Sequence, residues 1–235
     1  MPGKKKSKSR RPSCPDPALY TWVDSSEGGY WRLKRKAGTP VNKSLSQNNA
    51  ATSLLAPAIK RIRNKLEPYT RNLSMGRVQS KLSGLLTKAY REKGVANFSS
   101  LKGFDFQKEY VLEKLLLSQY KVSKTADDIT LLIPVNDRAI KKYNNLVTDF
   151  YFEAILLHGD ILNDEPLAAE YVLSAPYSFT YLVKETCTLT LPLPQSNSPW
   201  MLLLKVSCLE GNEMAAHTKH YGMKVVEVSE PATGS

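Results

Sequence analysis

Lysine and arginine are concentrated in the first 93 of the 235 residues, and these side chains are suited to binding a polyanion. Residues 1–93 hold 21 Lys or Arg against 5 Asp or Glu, and residues 94–235 hold 12 against 17. The two parts therefore carry +16 and −5 within a net charge of +11. Because cationic side chains neutralise phosphates and release counterions, this asymmetry indicates nucleic acid, a ribonucleoprotein or an anionic membrane as partner. A surface charge that only keeps the protein in solution is the simpler alternative.

The cations fall in an N-terminal tail, in the second arm of a predicted hairpin and along a predicted helix. The candidate polyanion-binding residues are Lys4, Lys5, Lys6, Arg10, Arg11, Arg32, Lys34, Arg35, Lys36, Lys60, Arg61, Arg63 and Lys65. Aromatic residues interleave with the hairpin cations, and exposed rings could stack on unpaired bases. Strand alternation favours packing instead, with Trp31 and Leu33 on one buried side.

Chemistry at a metal or nucleophile has little support in the sequence. Cys208, His217 and His220 offer zinc-type ligands and are weak candidates, because neither Cys-x-x-Cys nor His-Glu-x-x-His spacing occurs. A Gly-x-Ser-x-Gly elbow and the glycine-rich loops that hold phosphates are also missing. We therefore predict no catalytic residues, no metal and no cofactor, and a protein that is not an enzyme.

The expected location is the cytoplasm. Three widely spaced cysteines, Cys14, Cys187 and Cys208, argue against a disulfide framework and for a reducing compartment. No run approaches the roughly 18 apolar residues that a membrane helix needs. The basic N-terminus lacks the apolar stretch of a secretion signal.

The basic part reads as several elements rather than a uniform tail. Residues 1–18 are rich in Lys, Ser and Pro without periodicity, which predicts a disordered basic tail. Residues 19–94 predict a β-hairpin, turning at Gly28 and Gly29, followed by two amphipathic helices joined by a short link. The first helix carries an apolar stripe, is kinked or begun at Pro57, and ends at Pro68; the second spans about residues 77–93. Their apolar stripes are Leu55, Ile59, Ile62 and Leu66, and Val78, Leu82, Leu85, Leu86 and Ala89.

Residues 103–230 are mostly β in character. About seven alternating or buried runs, without room for crossover helices, predict an antiparallel β-sandwich, and residues 231–235 form a short tail. Residues 107–120 are ambiguous and could form one more helix. Residues 210–219 are predicted to form an exposed loop. The fold class is thus mostly β, preceded by a basic tail, a β-hairpin and a helical hairpin.

Two hypotheses follow from this layout. The first is a non-enzymatic binding protein whose basic N-terminal segment contacts nucleic acid or a ribonucleoprotein. The second is a structural or self-assembling subunit whose basic segment pairs with acidic protein surfaces or a packaged genome. In layout alone, a basic arm before a β-sandwich is similar to many small viral coat proteins, although no motif accompanies the similarity.

Overall fold

The computed structural model describes residues 13–14, 16–23, 29–34, 43–74, 78–163, 165–181, 184–194 and 198–229, with only the backbone of 43–48. The predicted tails at 1–18 and 231–235 and the hairpin turn therefore lie largely outside the described residues. Contacts divide the chain into two compact units, Met1–Ser46 and Gln47–Ser235. The domain limits expected from the sequence remain predictions.

The first unit contains the predicted hairpin. Strands β1 (Tyr20–Val23) and β2 (Tyr30–Leu33) pair antiparallel, with Trp22 directly opposite Trp31. The two indoles meet edge to face, with ring centroids 5.0 Å apart. Such a pair stabilises a short hairpin beyond its backbone hydrogen bonds.

Two long helices form the predicted helical hairpin. Helix α1 spans Lys43–Thr70 and helix α2 spans Val78–Lys93. The predicted end of the first helix at Pro68 is wrong, because α1 contains both Pro57 and Pro68 and ends at Thr70. Both prolines are exposed, on the side of α1 away from its buried stripe.

The second unit is mainly antiparallel sheet, as predicted. A third helix, α3 (Leu112–Leu115), forms a single turn within residues 107–120, where the sequence left one more helix possible. The remaining strands are β3 (Lys121–Lys124), β4 (Asp128–Val135), β5 (Asp149–His158), β6 (Ala168–Leu173), β7 (Tyr177–Ser178), β8 (Glu185–Pro192), β9 (Trp200–Glu210), β10 (Glu213–Met214) and β11 (Tyr221–Val228).

Strand β9 organises the larger sheet. It pairs with β5 on one side and with β11 and β10 on the other, while β5 also pairs with β6 and β7. Strands β3, β4 and β8 form a separate three-stranded sheet. The mostly β, antiparallel class is confirmed, but a sandwich is not: the sheet of the second unit that β9 organises is curled as a half-barrel.

One hydrophobic core joins the helices of the second unit to its strands. Leu55, Ile62 and Leu66 of α1 are at most 1% exposed and belong to the same buried cluster as Phe152 of β5 and Leu203 of β9. Most members of the apolar stripes predicted for the helices are therefore buried in the core of the same chain. Leu85 of α2 is an exception, because it is 38% exposed, and its expected burial is wrong. Burial of the α1 stripe, rather than helix propensity, holds α1 against the sheet.

Candidate polyanion-binding surface

Helix α1 separates its predicted cations into different directions. Because a helix turns roughly 100° per residue, Lys60 and Arg63 are neighbours on its surface, whereas Arg61 projects to the opposite side from Arg63. Lys60, Arg63 and Lys65 are exposed. Arg61 is half-buried, and its Nη2 donates to the backbone oxygen of Ile161 at 2.6 Å. Arg61 therefore joins α1 to the loop after β5 and is poorly placed to meet a partner.

The two helices together carry a strong excess of positive charge. Lys43–Thr70 and Val78–Lys93 contain nine Lys or Arg against two Glu. Each glutamate already pairs with a nearby cation: Glu67 lies 3.2 Å from Arg71, and Glu92 lies 3.9 Å from Lys88. Such exposed pairs at i,i+4 are weak, so they leave most of the positive potential intact.

Helix α2 contributes exposed cations of its own: Lys81, Lys88, Arg91 and Lys93. Of these four, the sequence assigned only Lys81 to the basic surface, and Lys88, Arg91 and Lys93 were missed. Their signal was present, however, because the apolar stripe of α2 already assigned its Lys and Arg to the solvent side. The helix pair is thus a larger cationic surface than the sequence candidates on α1 alone.

The hairpin presents a smaller cationic side. Arg32 lies opposite Thr21, and both share a face with Tyr30, which is 52% exposed. Lys34 is held locally, since its Nζ donates to the oxygen of Pro17 at 2.7 Å. The expectation that Leu33 is buried beside Trp31 is wrong, because Leu33 is 59% exposed at the end of the short strand.

The remaining sequence candidates lie outside the described residues. They are Lys4, Lys5, Lys6, Arg10 and Arg11 of the tail, and Arg35 and Lys36 after the hairpin. Their role in polyanion binding stays a prediction.

The three weak metal candidates are not arranged as a ligand set. Cys208 is 1% exposed within β9, and burial raises the pKa of its thiol to about 12, which disfavours the thiolate that binds metals. His217 Nδ1 accepts a hydrogen bond from the backbone N–H of Lys219 at 3.1 Å. In the described part of the chain, no three His, Cys, Asp or Glu side chains cluster as metal ligands would.

His220 instead lies in a ring cluster. It is 1% exposed, and neither ring nitrogen has a hydrogen-bond partner. The rings of Tyr143 and His217 meet it edge to face, at centroid distances of 6.2 and 6.4 Å. Burial, and then the charge of Lys219, lowers the pKa of His220, so the neutral imidazole is favoured.

A buried ion pair was missed by the sequence interpretation. Glu153 of β5 lies directly opposite Lys205 of β9, and their Oε2 and Nζ atoms are 2.6 Å apart. Burial, and then the nearby Tyr171 and Glu153, raises the pKa of Tyr69 at the end of α1. A single lysine inside the apolar run Trp200–Cys208 was the signal, because a buried lysine needs a partner.

Two concave regions are present in the described structure. An open, polar depression of about 670 Å³ is lined by residues that include Asn136, Arg138 and Lys184. A smaller cavity of about 230 Å³ lies between α1, α2 and Phe106 and is lined mainly by apolar side chains.

Membrane insertion by a helix has no support among the described residues, where no helix is both long and apolar enough to cross a bilayer. Among the described residues, the exposed cations predicted from the sequence lie on the two helices and on the hairpin side. No protein-family model and no curated protein sequence matches this chain.

Proposed function

We propose that this chain is a non-enzymatic binding protein whose basic N-terminal segment contacts nucleic acid or a ribonucleoprotein. The observation that carries the proposal is the excess of nine cations over two glutamates on α1 and α2. Cations spread along a surface suit a backbone of repeated phosphates better than they suit a single small anion.

The exposure of these cations supports the proposal further. Lys60, Arg63 and Arg71 are all exposed on α1 or just after it, and Lys88 and Arg91 are exposed on α2. Exposed cationic side chains of this kind give affinity without reading bases, because phosphate contacts carry no sequence information. We therefore expect binding with low sequence preference and a strong dependence on salt.

The test is a fluorescence anisotropy titration of the full chain against labelled single-stranded RNA, single-stranded DNA and duplex DNA. Between about 50 and 200 mM NaCl, the logarithm of the association constant should fall linearly with the logarithm of salt concentration. Absence of binding to all three probes at the low-salt end would contradict the proposal.

The assembly hypothesis predicts a different outcome from the same preparation. Its support is the opposite sign of the two parts, +16 for residues 1–93 and −5 for residues 94–235, which could pair between copies. Light scattering over a concentration series distinguishes the two. Salt-sensitive growth of the particle mass without nucleic acid favours assembly, and a constant monomer mass favours the binding protein.

A further inference from the structure

The cavity between the two helices has apolar walls that are held in place. Ile62 of α1 and Leu82 of α2 are at most 3% exposed, and Phe106 closes the third side. The backbone N–H of Phe106 donates to the oxygen of Met223 in β11 at 2.9 Å. This hydrogen bond attaches Phe106 to β11, and the helix walls at Ile62 and Leu82 belong to the buried core of the second unit.

Its polar lining residues lie to one side and include a cation. Arg63 is exposed, and its Nη1 donates to Oε1 of Gln79 at 3.0 Å, which links α1 to α2. This hydrogen bond leaves the positive charge of the guanidinium in place, because the amide of Gln79 is neutral. Thr70 adds a hydroxyl that donates to the oxygen of Glu67 at 3.2 Å.

The size of the cavity sets the size of its occupant. An apolar cavity of about 150 Å³ is enough to bind benzene, so about 230 Å³ is well above the minimum for a small apolar ligand. If each methylene takes roughly the 30 Å³ that a water molecule occupies in the liquid, the cavity holds about seven or eight carbons. Polar ligands without an apolar body would lose hydration against the apolar walls and gain few partners there.

We propose that this cavity binds a medium-chain carboxylate, with its hydrocarbon tail between α1 and α2 and its carboxylate on Arg63. The guanidinium would exchange the neutral oxygen of Gln79 for a charge-assisted, bidentate contact, which is the stronger interaction. The observation behind this inference is an apolar cavity with Arg63 as the cation at its edge. The inference does not require nucleic-acid binding, although Arg63 is also a polyanion-binding candidate.

The experiment is isothermal titration calorimetry of the full chain with sodium octanoate, with 1-octanol as the uncharged probe. We expect saturable one-to-one binding of octanoate to the wild-type protein. Arg63→Gln should weaken octanoate binding roughly tenfold, which corresponds to one charge-assisted hydrogen bond, and leave octanol binding unchanged. The matched control is Lys65→Gln, which removes an exposed cation that does not line the cavity and should leave both ligands unaffected.

Filling the cavity provides a second arm. Leu82→Phe should weaken octanoate and octanol alike, because the added ring occupies the space of the tail. A folded wild-type protein with no saturable octanoate binding overturns the proposal. Equal losses in Arg63→Gln and Lys65→Gln also overturn it, since they would indicate general charge attraction. These arms decide the matter even if Leu82→Phe fails to fold.

Discussion

The charges on the helix pair are exposed and mostly positive, whereas the charges between the central strands are buried and balanced. Helices α1 and α2 contain nine Lys or Arg but only two Glu, and most of the cations whose side chains are described are exposed. Between β5 and β9, one lysine meets one glutamate at 2.6 Å, and both side chains are at most 10% exposed. Water screens the helix charges, so an excess costs little there, whereas a charge within the sheet needs a partner.

The buried ion pair stabilises the fold, whereas the exposed helix cations are available to a partner molecule. The pair of Glu153 and Lys205 sits in register across two buried strands and favours that pairing over a slipped one. The helix cations make weaker contacts within the protein: Arg61 donates to Ile161, and Arg63 donates to the neutral amide of Gln79. Substitutions in the sheet should therefore change stability, and substitutions on the helices should change binding.

The largest expected effect is on the buried pair. Lys205→Met leaves Glu153 buried without its cation, and we expect unfolding to become easier by about 3–5 kcal/mol. The double variant Glu153→Leu, Lys205→Met should recover most of that loss. Urea unfolding of the wild type, the single variant and the double variant measures these differences in the free energy of unfolding. A loss under about 1 kcal/mol in the single variant would show that the pair is hydrated in solution.

A smaller effect is expected at His220, whose pKa is lowered chiefly by burial. The unfolded chain then binds the proton more readily than the folded chain, so stability rises with pH through the window just below the ordinary histidine pKa of 6.5. Stability is lost as the pH falls through that window, by at most about 1.4 kcal/mol per pH unit for one proton.

The variant His220→Phe keeps a ring beside Tyr143 and removes the titrating group. Urea unfolding between pH 7.5 and pH 5 (roughly the range in which histidine titrates) should show a shallower loss of stability than the wild type. His217→Asn is the matched control, because Asn can still accept the hydrogen bond from Lys219 at an exposed site. Equal slopes in the wild type and His220→Phe would contradict the assignment.

The smallest effect on stability is expected from the helix glutamates. Glu67→Gln with Glu92→Gln removes two exposed pairs, at 3.2 and 3.9 Å, and should cost under about 1 kcal/mol in total. The same change adds two positive charges to the net charge of the surface and should tighten oligonucleotide binding. Unchanged or weaker binding would show that these helices do not face the polyanion.

Sequence periodicity was enough to find most elements. Two of the alternating or apolar runs in the sequence, at Asp128–Val135 and Tyr221–Val228, coincide with strands β4 and β11. Alternation and apolar runs report burial directly, so strands in the core give a clear pattern. Strand β3 (Lys121–Lys124) was missed, because it is a short, lysine-flanked strand at a sheet edge, where little of the surface is buried.

Strand pairing and the buried pair needed the structure. Strand β9 lies between β5 and β11, and β5 is more than 40 residues distant in sequence, which no local pattern reports. The sequence predicts an exposed loop at 210–219, but this segment includes the two-residue strand β10. The histidine that follows it, His220, is buried. For the candidate surface, the sequence identified the charged residues but not their exposure, so the half-buried Arg61, which donates to Ile161, was grouped with exposed cations.

Two triple variants with the same change in net charge test whether the cations of α1 bind the polyanion. One carries Lys60→Gln, Arg63→Gln and Lys65→Gln on α1, and the other carries Lys108→Gln, Lys121→Gln and Lys184→Gln, which are exposed in the β region. Anisotropy titrations with a single-stranded oligonucleotide over a salt series should show weaker binding by the helix variant. Its salt slope should be smaller by about two, at roughly 0.7 for each phosphate that the variant no longer neutralises. The β-region variant should keep the wild-type slope, and equal slopes in the two variants would contradict the account.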